Sequence, residues 1–498
     1  MKTRVKKTWM LFLAVLMTLL SSSTSVLAID GTGAEDAAAL TFNEDSVSAI
    51  YEKKYTPAES GYYIMHLNFD SALDYDLDVW SNTDNKEEDI DWFDSGNGFC
   101  TQVSYLTKGK EYAVRIYDYN QEPRLDGYQY SIGRAPTKGT LGTVQWSYAN
   151  ATLTVNGTGS VRSEEGYPWG YLENSIQKVV IGKGITEIGE YAFGWLNKLT
   201  LVSLPTTIRR LDAMCFNGCK NLSSIANLQY VTYFGAHCLS KTRWTSSHKN
   251  ANGHVIYHRF LLEYVGTAKK VTIPSGIKTI CSGAFSKHNL TGVTMPDSVK
   301  RIGDNAFSYT NLIAVKVGSK VVTIDHSAFR NCGSLKSVIL PKTIKAIGYN
   351  AFYCCPTLKR MKVPKAATKI GIHALGYNDN AELVPGYVLG GYRNTEAQSY
   401  ANNNKVTFMD CTAPRVTLAK GARGVAVKWN KVTNASAYHI YRRTGSSKKW
   451  KEMKTIAKGS TVRWMDTKVK KGMKYTYAVN AVRGGVVTDL SSRKSIIR

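Results

Sequence analysis

The chain has 498 residues, of which 43% are hydrophobic and 11% aromatic, and a net charge of +26. That length exceeds what one hydrophobic core serves, so about three domains are expected, and the apolar and tyrosine content excludes a disordered or low-complexity chain. Charge is uneven: residues 29–136 hold 21 acidic and 8 basic side chains, residues 411–498 hold 3 and 21, an asymmetry that bears on partners rather than on fold.

The first 28 residues carry Lys2, Arg4, Lys6 and Lys7, then an apolar run over 9–20, then small residues ending in Val26-Leu27-Ala28. This reads as a cleavable secretion signal, since a membrane span needs roughly 20 apolar residues. No later stretch is long and apolar enough to cross a bilayer, so the mature chain is expected to be exported, without a transmembrane span. Export makes nucleic acid an improbable partner and favours an anionic wall polymer, a membrane surface or an acidic glycan.

Residues 29–136 contain the segments YYIMHLNF, YDLDVWS and YAVRIYDY, whose alternation predicts strands of a small β-sandwich or jelly roll. The run Asp74-x-Asp76-x-Asp78 is a weak calcium candidate, with Asp84, Asp89, Asp91 or Asp94 as further carboxylates. It fails the helix-loop-helix calcium pattern, which wants glycine where Val79 stands and glutamate where Asn85 stands. No metal or cofactor is otherwise expected.

From residue 185 onward one pattern dominates. ITEIGEYAF, ending at Phe193, recurs with its last residue at Phe216, Leu239, Phe285, Phe307, Phe329, Phe352 and Leu375, at spacings of 23, 23, 46, 22, 22, 23 and 23. The double step leaves room for one irregular unit. A leucine follows six residues after Phe193, Phe216, Phe329 and Phe352 but five after Phe285 and Phe307, which locates the one-residue deletion in a loop. Next comes a short strand signal such as LVSLP, VTIP, SVILP or RMKVP, stopped by proline. A 23-residue unit cannot bury its apolar side alone; stacked units do, by aligning strands about 4.8 Å apart in parallel sheets. Cys219, Cys332 and Cys355 lie three residues after a repeat phenylalanine, and Cys215 and Cys238 one before the repeat residue. These are recurrent slots for a small buried side chain, without the spacing of a zinc site.

These residues resemble the BspA-like family of leucine-rich repeats, with its unit I-x-x-I-G-x-x-A-F-x-x-C-x-x-L-x-x-V-x-I-P, over about residues 180–375. Residues 142–182, with Trp146, Gly157, Gly159, Pro168 and Trp169, look like the segment that caps the start of such arrays, and residues 386–408 like the terminal cap. Residues 240–266 depart from the pattern; NGHVIYHRFLLEYVG reads as a hairpin-like variation, in which His254 and His258 would share one strand face.

Residues from 412 onward alternate and turn often. Trp429, Tyr438, Ile440, Asp466, Tyr475, Tyr477, Val479 and Ala481 resemble the core of a fibronectin type III domain, with Tyr475 at its tyrosine corner. No Arg-Gly-Asp tripeptide occurs. The expected architecture is mainly β: a signal peptide over 1–28, an acidic β-sandwich over 29–136, a leucine-rich-repeat solenoid with caps over 137–410, and a basic fibronectin type III-like sandwich over 411–498.

A nucleophile elbow, a His-Glu-x-x-His motif and a phosphate-cradling glycine loop are all absent, so no enzyme is expected. The family resemblance implies an exported cell-surface binding or adhesion protein, whose array presents a long face to a protein or glycan of a host or neighbouring cell. Residues beside the inward strand positions are the candidates for that face: Ser203, Thr272, Thr294, Lys316, Lys336, Ile339, Lys359, Arg360 and Lys362, the basic ones forming a ladder attractive to anions. Two alternatives stand beside it: a spacer retained on anionic wall polymer by the basic C-terminal domain, and a polysaccharide-active enzyme using the acidic domain, which needs only two placed carboxylates.

Overall fold

The computed structural model describes residues 49–68, 75–81, 86–87, 90–96, 99–118, 129–163 and 166–498. The leader and the first calcium candidate, Asp74, lie outside the described residues. Asp76 and Asp78 fall on the strand Tyr75–Ser81, with their side chains outside the description. Two compact units divide the chain: Met1–Tyr233 with Cys238–Thr245, and Phe234–His237 with Ser246–Arg498.

The first unit opens with a β-sandwich of two four-stranded antiparallel sheets. One runs Ala49–Tyr55, Tyr112–Asp118, Tyr75–Ser81, Lys86–Glu87, and the other Ile90–Gly96, Phe99–Leu106, Gly61–Asn68, Gln129–Arg134. Its core holds Met65, Leu67, Leu77, Val103 and Val114. Strands Val144–Ala149 and Thr152–Gly157 then pair antiparallel, and the direction changes: Lys178–Ile181, Leu201–Ser203 and Ser224–Ala226 join in parallel, so that Leu153, Val179, Val202 and Ile225 stand in one row. A second parallel sheet sets Val161 beside Ile188 and Ile188 beside Leu211. Each coil therefore contributes one apolar residue to each sheet, and every one of them needs the next coil to cover it.

The second unit repeats this arrangement. It starts with the antiparallel hairpin His254–Tyr257 and Phe260–Tyr264, as the irregular sequence suggested. His258 corrects the expectation of a shared face: it sits outside the strands, with φ 51° in the turn, while His254 is buried on the strand. From Leu261 the coils run in register through Ile280, Ile302, Ile324, Ile347 and Ile370. The spacing is close enough that a β-carbon at Gly371 would lie 2.3 Å from the Tyr349 nitrogen, which is why glycine follows isoleucine in that repeat.

Phenylalanine fills the space between the sheets. Phe285, Phe307, Phe329 and Phe352 stack nearly parallel, with ring centroids 5.0, 5.1 and 5.1 Å apart and interplanar angles of 4°, 6° and 3°. Trp169, Phe193 and Phe216 form the corresponding stack in the first unit, 5.4 Å apart. The irregular coil supplies Tyr264 in place of phenylalanine, 5.3 Å from Phe285.

Residues 416–497 form the C-terminal sandwich, a three-stranded sheet (Val416–Gly421, Gly424–Trp429, Arg463–Asp466) over a five-stranded one. All eight residues singled out as its core are buried. The Tyr475 hydroxyl accepts the Lys470 N–H at 2.8 Å, the tyrosine corner expected there. Asp466, fully buried, accepts from Arg442 Nη1 and the Tyr477 hydroxyl, each at 2.7 Å.

Replacing Phe329, which touches a ring on either side, leaves a cavity in mid-stack. Phe329→Ala is expected to lower stability by about 3–5 kcal/mol, read from the urea midpoint of the full chain; a loss below about 1 kcal/mol would mean that the stack is not a packed core.

Candidate binding surface

The turn that carries each phenylalanine positions the exposed side chains. Counting from the repeat Phe or Leu, the residues two before and two after adopt positive φ: Tyr191 and Trp195, Asn305 and Tyr309, Ser327 and Asn331, Asn350 and Cys354. Three N–H groups per coil then point to the following coil. Asn305 donates to His326 O (2.9 Å), Phe307 to Ala328 O (2.7 Å) and Tyr309 to Arg330 O (2.9 Å); Ser327, Phe329 and Asn331 donate to Tyr349, Ala351 and Tyr353 O (2.9, 2.8 and 2.9 Å). This ladder is one-directional, so one end of an array presents carbonyls and the other N–H groups. The caps meet each need. At the start, Trp169 Nε1 donates to Ala192 O (2.8 Å) and the Tyr167 hydroxyl to Glu190 O (2.9 Å). At the end, the Tyr400 hydroxyl, on the helix Glu396–Asn403, accepts the Leu375 N–H and donates to Leu375 O, both at 3.0 Å.

The cysteine slot serves the same backbone. The thiols of Cys219, Cys332 and Cys355 donate to the carbonyls of Phe193, Phe307 and Phe329 on the preceding coil, at 3.0, 3.2 and 3.2 Å. Thr310 and Thr242 occupy that slot in other coils and donate to Phe307 O and Leu239 O, both 2.8 Å. Burial pushes the Cys219 thiol up to about 12, so it stays protonated and inert.

Because the left-handed residues turn the chain outward on both sides of the phenylalanine, their neighbours line a face of their own. In the second unit that face is aromatic: Tyr309, Tyr349 and Ile372 are 50%, 46% and 67% exposed. The rings of His326, Tyr349 and His373 follow one another at 6.5 and 6.5 Å, His373 lies 6.2 Å from Tyr353 and 4.6 Å from Tyr377, and Arg330 lies 5.4 Å from the Tyr353 ring centroid. The sequence reading missed this strip, although its residues recur at fixed distances from the phenylalanines.

Of the residues expected to form the ligand face, Ser203, Thr272, Thr294, Lys316, Ile339, Arg360 and Lys362 lie on strands, and Lys336 and Lys359 each precede one. Thr272 pairs with Thr294 and Lys316 with Ile339, all exposed, with Ile339 at 59%. Ser203, half-buried, pairs with Ala226 in the first unit. Lys336 and Lys359 are exposed, as is Arg360, whose guanidinium packs on Gly485. Lys362 is committed elsewhere: its ammonium donates to Asp489 Oδ1 (2.8 Å) and Val487 O (3.1 Å) in the C-terminal sandwich, and the Tyr392 hydroxyl donates to Asp489 Oδ2 (2.8 Å). Among the described residues no group of three or more His, Cys, Asp or Glu side chains stands together as a metal site, and no helix is long and apolar enough to cross a membrane.

Burial pushes the Asp489 carboxyl up, but the bonds from Lys362 and Tyr392 and the charges of Lys362 and Lys342 outweigh it and hold the group below its ordinary value. The carboxylate's contribution is therefore present above the ordinary carboxylate range and lost as pH falls through the lowered value. Fluorescence transfer between dyes on the array and on the sandwich is expected to hold constant down to that range and change below it. Lys362→Met should move the change to higher pH; an unmoved transition would remove Asp489 from the junction.

Two overlapping stretches, residues 171–260 and 255–382, match the family described as BspA type Leucine rich repeat region, in 6 copies. No curated protein matches. Among solved structures, a leucine-rich repeat protein from Bacteroides ovatus is 17% identical, with 54% of this chain and 66% of that one covered and a TM-score of 0.26, so the chain spans just under two thirds of that protein. A leucine rich cell surface protein from Faecalibacterium prausnitzii is 16% identical over 55% of this chain and 94% of that one (TM-score 0.18). An Fn3-like protein from Clostridium thermocellum is 29% identical over 17% of this chain and 85% of that one (TM-score 0.15).

Proposed function

With residues 171–382 forming a BspA type leucine rich repeat region, we propose that the chain is an exported, surface-associated binding protein without catalytic activity, whose repeat array holds a protein or glycan of a host or neighbouring cell. The observation that carries this reading is the aromatic strip of the second unit. Tyr309, Tyr349 and Ile372 stand about half exposed or more, and the Tyr349 ring lies between those of His326 and His373 on the neighbouring coils, 6.5 Å from each. Rigid aromatic anchors beside an arginine are the composition of interface hot spots. The leader-like segment over 1–28 supports export.

The double variant Tyr349→Ala, Ile372→Ala is expected to weaken binding to surface-protein and glycan arrays at least about tenfold, with the melting temperature of the chain unchanged. Retention of every array signal by this variant would remove the strip from the binding face.

A second reading, retention on anionic wall polymer through the C-terminal sandwich, is favoured by the 21 basic against 3 acidic side chains of residues 411–498. Molar salt screens exposed charges to about 3 Å, so washing cells with it should release the protein; release that needs wall digestion instead would contradict simple electrostatic retention.

A further inference from the structure

Proline closes the first strand of most coils, and the turn that follows leads into the second sheet. On three successive coils of the second unit this edge is lined by lysine: Lys316 and Lys320, then Lys342 and Lys345, then Lys365 and Lys369, all exposed. Backbone bonds hold the coils in register. The Thr343 hydroxyl donates to Ser319 O (2.9 Å) and Val321 O (2.7 Å), the Lys345 N–H to Val322 O (2.7 Å), and Ala346 pairs with Lys369. Strands of a sheet lie about 4.8 Å apart, within the Debye length of about 8 Å at physiological salt, so a polyanion lying across this edge meets the charge of more than one coil at once.

In the first unit the turn after Pro205 carries Thr206 and Thr207 in place of lysine. On the strands that follow, arginine and acid pair in both units: Arg162 with Glu187 and Asp212, Arg210 with Asp212 at 2.6 Å, and Arg301 with Asp325 at 2.5 Å. None of these six lysines has a salt bridge among the described residues. The nearest acids are already engaged. Asp297, fully exposed, accepts the Ser319 N–H at 3.1 Å and lies near Lys316 and Lys320. Asp489 is held by Lys362 and Tyr392, with Lys342 nearby. Lys365 makes one contact, 4.9 Å above the Tyr392 ring.

We propose that this lysine edge is a binding site for a linear polyol-phosphate polymer, lying across the coils with its phosphodiesters against the lysines. The run of charge across several coils fits a polymer and not a single small anion. All six residues are lysine, compact point charges that meet a flexible phosphate chain without fixed geometry, where arginine would favour bidentate carboxylate recognition. No row of aromatic rings alternates with the lysines to stack bases, as single-stranded nucleic acid sites require. The site is separate from the aromatic strip; only the choice of an envelope polymer rests on the exported reading above.

The test measures binding of a synthetic polyglycerol phosphate to the chain lacking residues 1–28, between about 50 and about 200 mM salt. The edge variant Lys316→Gln, Lys320→Gln, Lys342→Gln, Lys345→Gln should lose at least about tenfold in affinity, and its salt dependence should flatten by about 0.7 per lysine removed. A control of equal charge loss on the C-terminal sandwich, Lys448→Gln, Lys449→Gln, Lys451→Gln, Lys454→Gln, should lose less than about twofold, and Tyr349→Ala, Ile372→Ala should bind the polymer unchanged even where its array signals fall. Equal losses in the two lysine variants would overturn the site in favour of net charge, and a larger loss in the sandwich variant would move it there. Tighter binding of heparin or single-stranded DNA than of polyglycerol phosphate, or no polymer binding by the unaltered chain, would also overturn it.

Discussion

The coils of Phe193, Phe285, Phe307, Phe329 and Phe352 each pass three backbone N–H groups of this turn to the next coil. The phenylalanine between those donors sits on the phenylalanine of the neighbouring coil at about 5 Å. Hydrogen bonding and apolar burial therefore depend on the same condition, that the coils repeat in phase. A coil out of phase would leave buried polar groups unpaired, at about 1–3 kcal/mol each, and would open a gap in the ring stack. The fixed separation of eight residues between the first apolar position and the phenylalanine meets this condition, while the one-residue deletions fall in the loop beyond it.

The same polarity explains the ends. A ladder of donors facing one way needs hydrogen-bond donors before its first coil and an acceptor after its last, and Trp169, Tyr167 and Tyr400 fill those roles with side chains that also extend the apolar core. It explains the exposed faces as well. The left-handed residues on either side of the phenylalanine fix where the neighbouring side chains emerge, so a column of positions with no packing duty runs across the coils. In the second unit those positions hold tyrosine, histidine and arginine, and the proline-turn edge holds lysine. Binding surfaces on such an array are sets of columns, whose chemistry changes from coil to coil without disturbing the core.

Much of this was legible in the sequence. The recurrence of Ile, Phe, Leu and Val at fixed spacing gave the parallel sheets, their register and the core, and the cap residues were recognisable by resemblance. Alternation and the placement of Tyr475 gave the C-terminal sandwich. Other features were not legible, for physical reasons. Besides Gly218 and Gly283, the positive-φ positions hold Tyr, Trp, Met, His, Lys, Ser, Asn and Cys, among which only asparagine and histidine hint at left-handed backbone. Tyr264 takes a phenylalanine slot at a spacing broken by the hairpin, so periodicity does not reveal it. Lys362 shares the strand pattern of Thr294 and Lys316, and its pairing with Asp489 arises only because residues 127 positions apart meet in the fold.

The backbone ladder is the premise of the fold and of both surfaces, and amide hydrogen exchange tests it most directly. The amides of Phe285, Phe307, Phe329 and Phe352 should exchange only through global opening of the second unit, with protection equal to one another and matching its unfolding free energy. Exchange at these amides as fast as at an exposed turn such as Ser275-Gly276 would contradict the account.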